Sequence, residues 1–164
     1  ETNRLKVDYI FDGYELDTLN FPHQNALYMS LIDDEVSKKA EETIREKAPD
    51  LSWVYLQYTD DMGHQYGDSP KYLSAISAMD KRVGKIWEAV KEREEKFNED
   101  WLFIVTTDHG RDEDTGKGHG GQSERQRSAW MISFFDCSLK SCGWLVQPAR
   151  NKSTTAILFM ILFF

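Results

Sequence analysis

Two short continuous runs, rich in aromatic and β-branched residues and each led by an amphipathic stretch, constrain this chain most. Ser52–Tyr58 (SWVYLQY) and Trp101–Thr106 (WLFIVT) lack the strict alternation of a strand with one wet face, and so read as buried parallel strands. Ahead of the first, Ile32, Val36, Ala40 and Ile44 recur every four residues, while Lys38, Lys39, Glu41, Glu42, Arg45 and Glu46 fill the opposite side. That spacing predicts a helix over 33–47, stopped at Ala48-Pro49 because a residue before proline disfavours the α conformation. Between the two runs, Ser69-Pro70 opens a second helix with Pro where no N–H is needed. Leu73, Ile76, Met79, Val83, Ile86, Trp87 and Val90 carry its period towards Phe97. Ser128–Phe135 (SAWMISFF) reads as a further strand, and Leu5–Leu16 as a strand running into a loop. Helix alternating with strand predicts an α/β fold with a largely parallel sheet flanked by helices.

Composition narrows the class. A hydrophobic fraction of 40% is enough for a packed core. The net charge of −8 argues against broad nucleic-acid or anionic-membrane binding, and no protein partner is inferred. An anionic substrate remains compatible with an acidic chain if bound metal reverses the field locally. Cys137 and Cys142 are too few for a disulfide scaffold and read as ordinary thiols by preference, or as a single loop disulfide. Beyond Asp136 no period is evident, which divides the chain into a domain over 1–135 and an atypical tail over 136–164. Its apolar end, Ala156–Phe164, is far short of the ~20 residues of a membrane helix. It is read as a lipid-anchor signal, a buried or aggregation-prone end, or, by preference, a non-native terminus.

Three polar pieces follow strand ends or close the long loop after them: Thr59-Asp60-Asp61-Met62-Gly63-His64, Thr107-Asp108-His109-Gly110, and Gly116-Lys117-Gly118-His119-Gly120-Gly121. The first is expected as a loop. In open parallel sheets, ligands bind beyond the carboxyl ends of strands, so all three are expected at one crevice. Asp and His are natural ligands for zinc-like ions, the imidazole giving a neutral nitrogen and the carboxylate a compensating charge. Three of the four histidines fall in these pieces, and glycines on both sides of His119 would let the backbone bring it back to the strand ends. Each piece alone is a common polar loop. Their joint occurrence, in this order, points to a metal site.

That order, Asp-x-x-x-His, then Asp-His-Gly, then Gly-x-Gly-His-Gly-Gly, resembles the second half of the metal site in alkaline-phosphatase-superfamily enzymes, and is most similar to nucleotide pyrophosphatases/phosphodiesterases. The resemblance covers roughly residues 5–134 and fades after Phe134. It implies an alkaline-phosphatase-like sheet, incomplete at the N-terminus, and two divalent ions, zinc by preference. Asp60, His64 and His119 would hold one ion; Asp108 and His109 would hold the other, with further ligands from an earlier segment. The nucleophile, a Thr or Ser in this family, is expected upstream of residue 1, so the chain alone is expected to be inactive.

The implied activity is hydrolysis of phosphodiester or nucleotide pyrophosphate bonds in small-molecule phosphate esters or nucleotides, with an extracellular or secretory setting. Phosphomonoesterase, sulfatase and phosphotransferase chemistry share the same metal shell. A non-catalytic metal-binding remnant and a metal-free binding module are the rival readings. Thr106, Thr107, Thr115 and Ser123 do not match the family's nucleophile motif, and Asp61 fits the ligand spacing less well than Asp60. Arg111 replaces a residue that is hydrophobic in many relatives, a departure bearing on substrate choice. Glu124, Arg125 and Arg127 read as a solvated face or as a phosphate contact. Phe11–His23 reads as a surface connection or as a wall of the substrate path.

Overall fold

A computed structural model describes residues 7–11, 26–134 and 155–162. Helix α1 spans Ala26–Lys47 and starts earlier than the sequence pattern predicts, because Tyr28 extends the buried stripe of Ile32 and Ile44 by one turn. Arg45 and Lys47 lie in its last turn, where cations meet the negative end of the helix dipole. Ala48 then turns the chain at φ 44 ahead of Pro49. Strand β1 is Leu51–Leu56. The next segment, expected as a loop, is instead a nine-residue helix, α2, Tyr58–Tyr66. Helix α3 runs Pro70–Phe97, capped by the Ser69 hydroxyl accepting from Tyr72 N and closed by Asn98 in the left-handed region. Strand β2 is Asp100–Thr107, α4 is a single turn at Glu124–Arg127, β3 is Met131–Phe134 and β4 is Thr155–Leu162.

The sheet has four strands in the order β1-β4-β2-β3. Strands β1, β4 and β2 are mutually parallel, and β3 lies antiparallel to β2. The α/β expectation is therefore met, but a large parallel sheet is not shown: the Ser128–Phe135 run pairs the other way. The apolar end of the chain, preferred above as a non-native terminus, supplies β4 between β1 and β2. A strand flanked on both sides is apolar throughout, which removes the period-two signal that would have marked it. The strand expected over Leu5–Leu16 is absent from residues 7–11, and its remainder, most of Phe11–His23, both cysteines and the Asn151-Lys152-Ser153 sequon lie outside the described residues.

Helices α1 and α3 pack on one face of the sheet. Ile44, Met79, Ile86 and Val90 from the helices meet Val54, Leu56, Trp101, Phe103, Val105, Ala156 and Leu158 from three strands. The opposite face leaves Leu51, Trp53 and Tyr55 of β1 exposed. Among the described residues, no helix is long and apolar enough to cross a membrane.

One contact sets the site's position. Gln57, at the N-cap of α2, offers no side-chain cap of its own. Asp33, buried on α1, accepts from Gln57 N at 3.0 Å and Tyr58 N at 2.8 Å, capping α2 from 24 residues back. Arg82 of α3 steadies the same end of α1 through Asp34 (2.6 Å) and the Ser30 hydroxyl (2.7 Å).

Candidate metal centre

Because residues 58–66 are helical, the spacing of Asp60 and His64 has a structural meaning: four residues bring both side chains to one face. His64 Nε2 lies 3.3 Å from Asp60 Oδ2. Strand β2 ends at Thr107 and delivers Asp108 and His109 to the same end of the sheet, with His109 Nε2 3.5 Å from Asp108 Oδ2. His109 Nδ1 sits 3.0 Å from the Gly110 carbonyl, a geometry that places the ring proton on Nδ1 and the lone pair on Nε2.

His119 comes from the long loop. Its Nε2 is 3.0 Å from His64 Nε2 and 3.7 Å from Asp60 Oδ1, and its ring stacks on His109 with centroids 3.9 Å apart. Asp60, His109 and His119 each present a ligand atom within 4.8 Å of the others. Burial and the neighbouring His109 hold the His119 imidazole below its ordinary pKa, which favours the neutral form that can ligate. Asp61, the alternative to Asp60, contributes to neither set of contacts; burial pushes its carboxyl upward.

The loop is folded by its own polar groups. The Asp112 carboxylate accepts from Gly118 N (2.6 Å) and Thr115 N (2.7 Å), and these bonds hold its pKa well below the usual carboxylate range. Arg125 donates twice to Asp68, at 2.7 Å each, and once to the Asp112 carbonyl at 2.9 Å, so it braces the loop from a solvated face. Buried Arg111 donates to Asp60 Oδ1 at 2.7 Å and to the Gly116 carbonyl at 2.5 Å. The bracing roles of Arg111, Asp112 and Arg125 left no periodic signal in the sequence, since each depends on partners brought together by folding.

The four hydroxyls weighed from the sequence are all engaged. Thr106 Oγ1 donates to the Trp130 carbonyl, Thr107 Oγ1 accepts from Trp130 N, Thr115 Oγ1 donates to Asp112, and Ser123 Oγ accepts from Gln126 N.

The chain matches the type I phosphodiesterase / nucleotide pyrophosphatase family over residues 5–118. It belongs to that family. The match spans α1, α2, α3, β1, β2 and the ligand candidates up to the residue before His119, and agrees with the superfamily resemblance of the motifs. No curated protein and no solved structure matches the chain. The family is metal-dependent and acts on small phosphate-ester or nucleotide substrates, so hydrolase chemistry is the family's assignment, and a candidate group of metal ligands is present to serve it.

These residues fit a metal ion. A tetrahedral zinc with bonds of 2.0–2.1 Å holds its ligand atoms ~3.3 Å apart. His64 Nε2 stands 3.0 Å from His119 Nε2 and 3.3 Å from Asp60 Oδ2, both close to that edge, while the 3.7 Å contact of His119 is to the other carboxylate oxygen, Oδ1.

Proposed function

We propose that this chain carries the metal-binding part of a two-metal centre that hydrolyses phosphodiester or nucleotide pyrophosphate bonds, with zinc as the ion. The observation that carries the reading is the approach of His64 Nε2 to Asp60 Oδ2 (3.3 Å) and to His119 Nε2 (3.0 Å), beside the group Asp60, His109 and His119, whose ligand atoms lie within 4.8 Å of one another. In this reading those three residues hold one ion, and Asp108 and His109 contribute to a second. The parallel strands with ligands at their carboxyl ends support an alkaline-phosphatase-like arrangement. When bound, the ions supply Lewis-acid stabilisation of phosphoryl oxygens and acidify an attacking oxygen.

The chain's own residues prepare that chemistry. The Gly110 carbonyl can only accept, and so holds the ring proton of His109 on Nδ1. Asp60, 8% exposed, supplies a carboxylate where water is scarce, its charge partly offset by Arg111 at 2.7 Å. None of the hydroxyls named above is assigned as nucleophile, because each is already committed to a structural bond. That same observation favours a second reading, a metal-binding chain without catalysis of its own.

Zinc content per chain tests the proposal, with wild type beside a His64→Ala/His119→Ala variant. About one tightly held zinc lost in the variant is expected from removing two ligands of a three-residue site. Folded wild-type protein that takes up no zinc would rule the metal reading out.

A further inference from the structure

Arg111 is the most enclosed basic residue among those described, at 3% exposed. Its guanidinium divides its N–H groups between two elements. Nη1 donates to Asp60 Oδ1 of α2 at 2.7 Å, while Nε and Nη2 donate to the carbonyls of Gly116 at 2.5 Å and Lys117 at 3.0 Å. Lys117 is two residues before His119. Helix α2 is shaped to receive this group. Gly63, one turn after Asp60, has no side chain, and a Cβ there would overlap the guanidinium carbon of Arg111. The Tyr72 ring centroid lies 5.9 Å from that carbon.

Two consequences follow for the half-site formed by Asp60, His64 and His119. The bond from Arg111 Nη1 to Oδ1 favours the carboxylate orientation in which Oδ2 is turned to His64 Nε2. The same cation pins the carbonyls that lead into His119, and so sets the separation of His119 from Asp60 across 59 residues of chain. A lysine would neutralise Asp60 equally well, but its single nitrogen lacks the planar fork that spans a carboxylate and two carbonyls.

We propose that Arg111 is a positioning residue that preassembles the Asp60–His64–His119 half-site and restricts Asp60 to binding metal through Oδ2. The proposal rests on the reading of Asp60 and His119 as metal ligands. Cobalt(II) is the probe, because its visible absorption is strong in four-coordinate sites and weakens as coordination number rises. The full chain is titrated with cobalt against a competing chelator as wild type, Arg111→Met, Arg111→Lys and Gly63→Ala, with circular dichroism to confirm folding.

Arg111→Met is expected to bind cobalt at least tenfold more weakly and with a weaker visible band, because a released Asp60 can ligate through both oxygens. Arg111→Lys should fall between the two. Gly63→Ala should follow Arg111→Met although alanine favours the helix, since the added methyl displaces the guanidinium. Wild-type affinity and an unchanged band in both Arg111→Met and Gly63→Ala would overturn the proposal. If Arg111→Met does not fold, Gly63→Ala decides by the same two readings. Folded wild type that binds no cobalt would remove the half-site, and the role of Arg111 with it. That outcome differs from failure of Arg111 alone, in which wild type and variants bind alike.

Discussion

Leu158 sits at the centre of β4, between Ser52 of β1 and Phe103 of β2, and is fully buried. Leu158→Ala removes three carbons. At ~0.8 kcal/mol for each buried carbon, the transfer loss is ~2.4 kcal/mol. A neighbourhood fixed by sheet hydrogen bonds on both sides collapses poorly into the gap, and the residual cavity raises the expected loss to ~3 kcal/mol. For a chain of this size, urea sensitivity lies towards the upper part of the usual 1–3 kcal/mol per molar, so the unfolding midpoint should fall by ~1 M with unchanged slope. Leu73 is the internal control: it is 63% exposed on α3, and Leu73→Ala should stay within ~0.5 kcal/mol of wild type. Urea melts followed by circular dichroism at 222 nm on the three proteins give the comparison. A Leu158→Ala midpoint matching those of wild type and Leu73→Ala would refute the central placement of β4 and return 155–162 to the status of a tail.

Burial, outweighing the pull of the Tyr58 and Gln57 amides, pushes the Asp33 carboxyl from its ordinary 3.8 up to about 6. The native state therefore holds an extra proton between these values: the contribution to stability, on the order of 3 kcal/mol, is fully present below pH 3.8 and is lost as pH rises through 6. Urea midpoints should fall more over that window in wild type than in Asp33→Asn; parallel curves would count against the buried carboxyl. Gly67 closes α2 at φ 57, where a Cβ would overlap the Thr115 carbonyl, so Gly67→Ala should lose ~2–4 kcal/mol in a thermal melt. A loss below ~0.5 kcal/mol would show that the loop does not rest on that turn. The zinc comparison of wild type with His64→Ala/His119→Ala and the cobalt titration of the Arg111 and Gly63 variants complete the set.

Much of the fold was legible because it rests on local spacing. The α3 stripe, the Ser69-Pro70 start and the two aromatic strands are each carried by a few neighbouring residues, and the structure places them within one or two positions of the sequence reading. The gathering of Asp60, His64, His109 and His119 at one end of the sheet was legible for a related reason. Polar Asp and His residues just past buried strands have only the carboxyl edge to occupy. Helix α2 was not legible, since residues 58–66 are polar, contain Gly63 and show no apolar stripe. What makes them helical is the carboxylate of Asp33, which is close only after α1 and β1 have packed.

The sequence by itself determined which residue types reach the site and the α/β class, through periodicity and residue chemistry that need no partner. The tertiary structure alone decided three things. Residues 155–162 became a central strand because two neighbours were available to satisfy their amides. The Ser128–Phe135 run became an antiparallel edge, because the turn through α4 returns the chain alongside β2. Arg111 became the link between Asp60 and the loop leading to His119, because a buried guanidinium requires acceptors on several sides and only the folded chain supplies them.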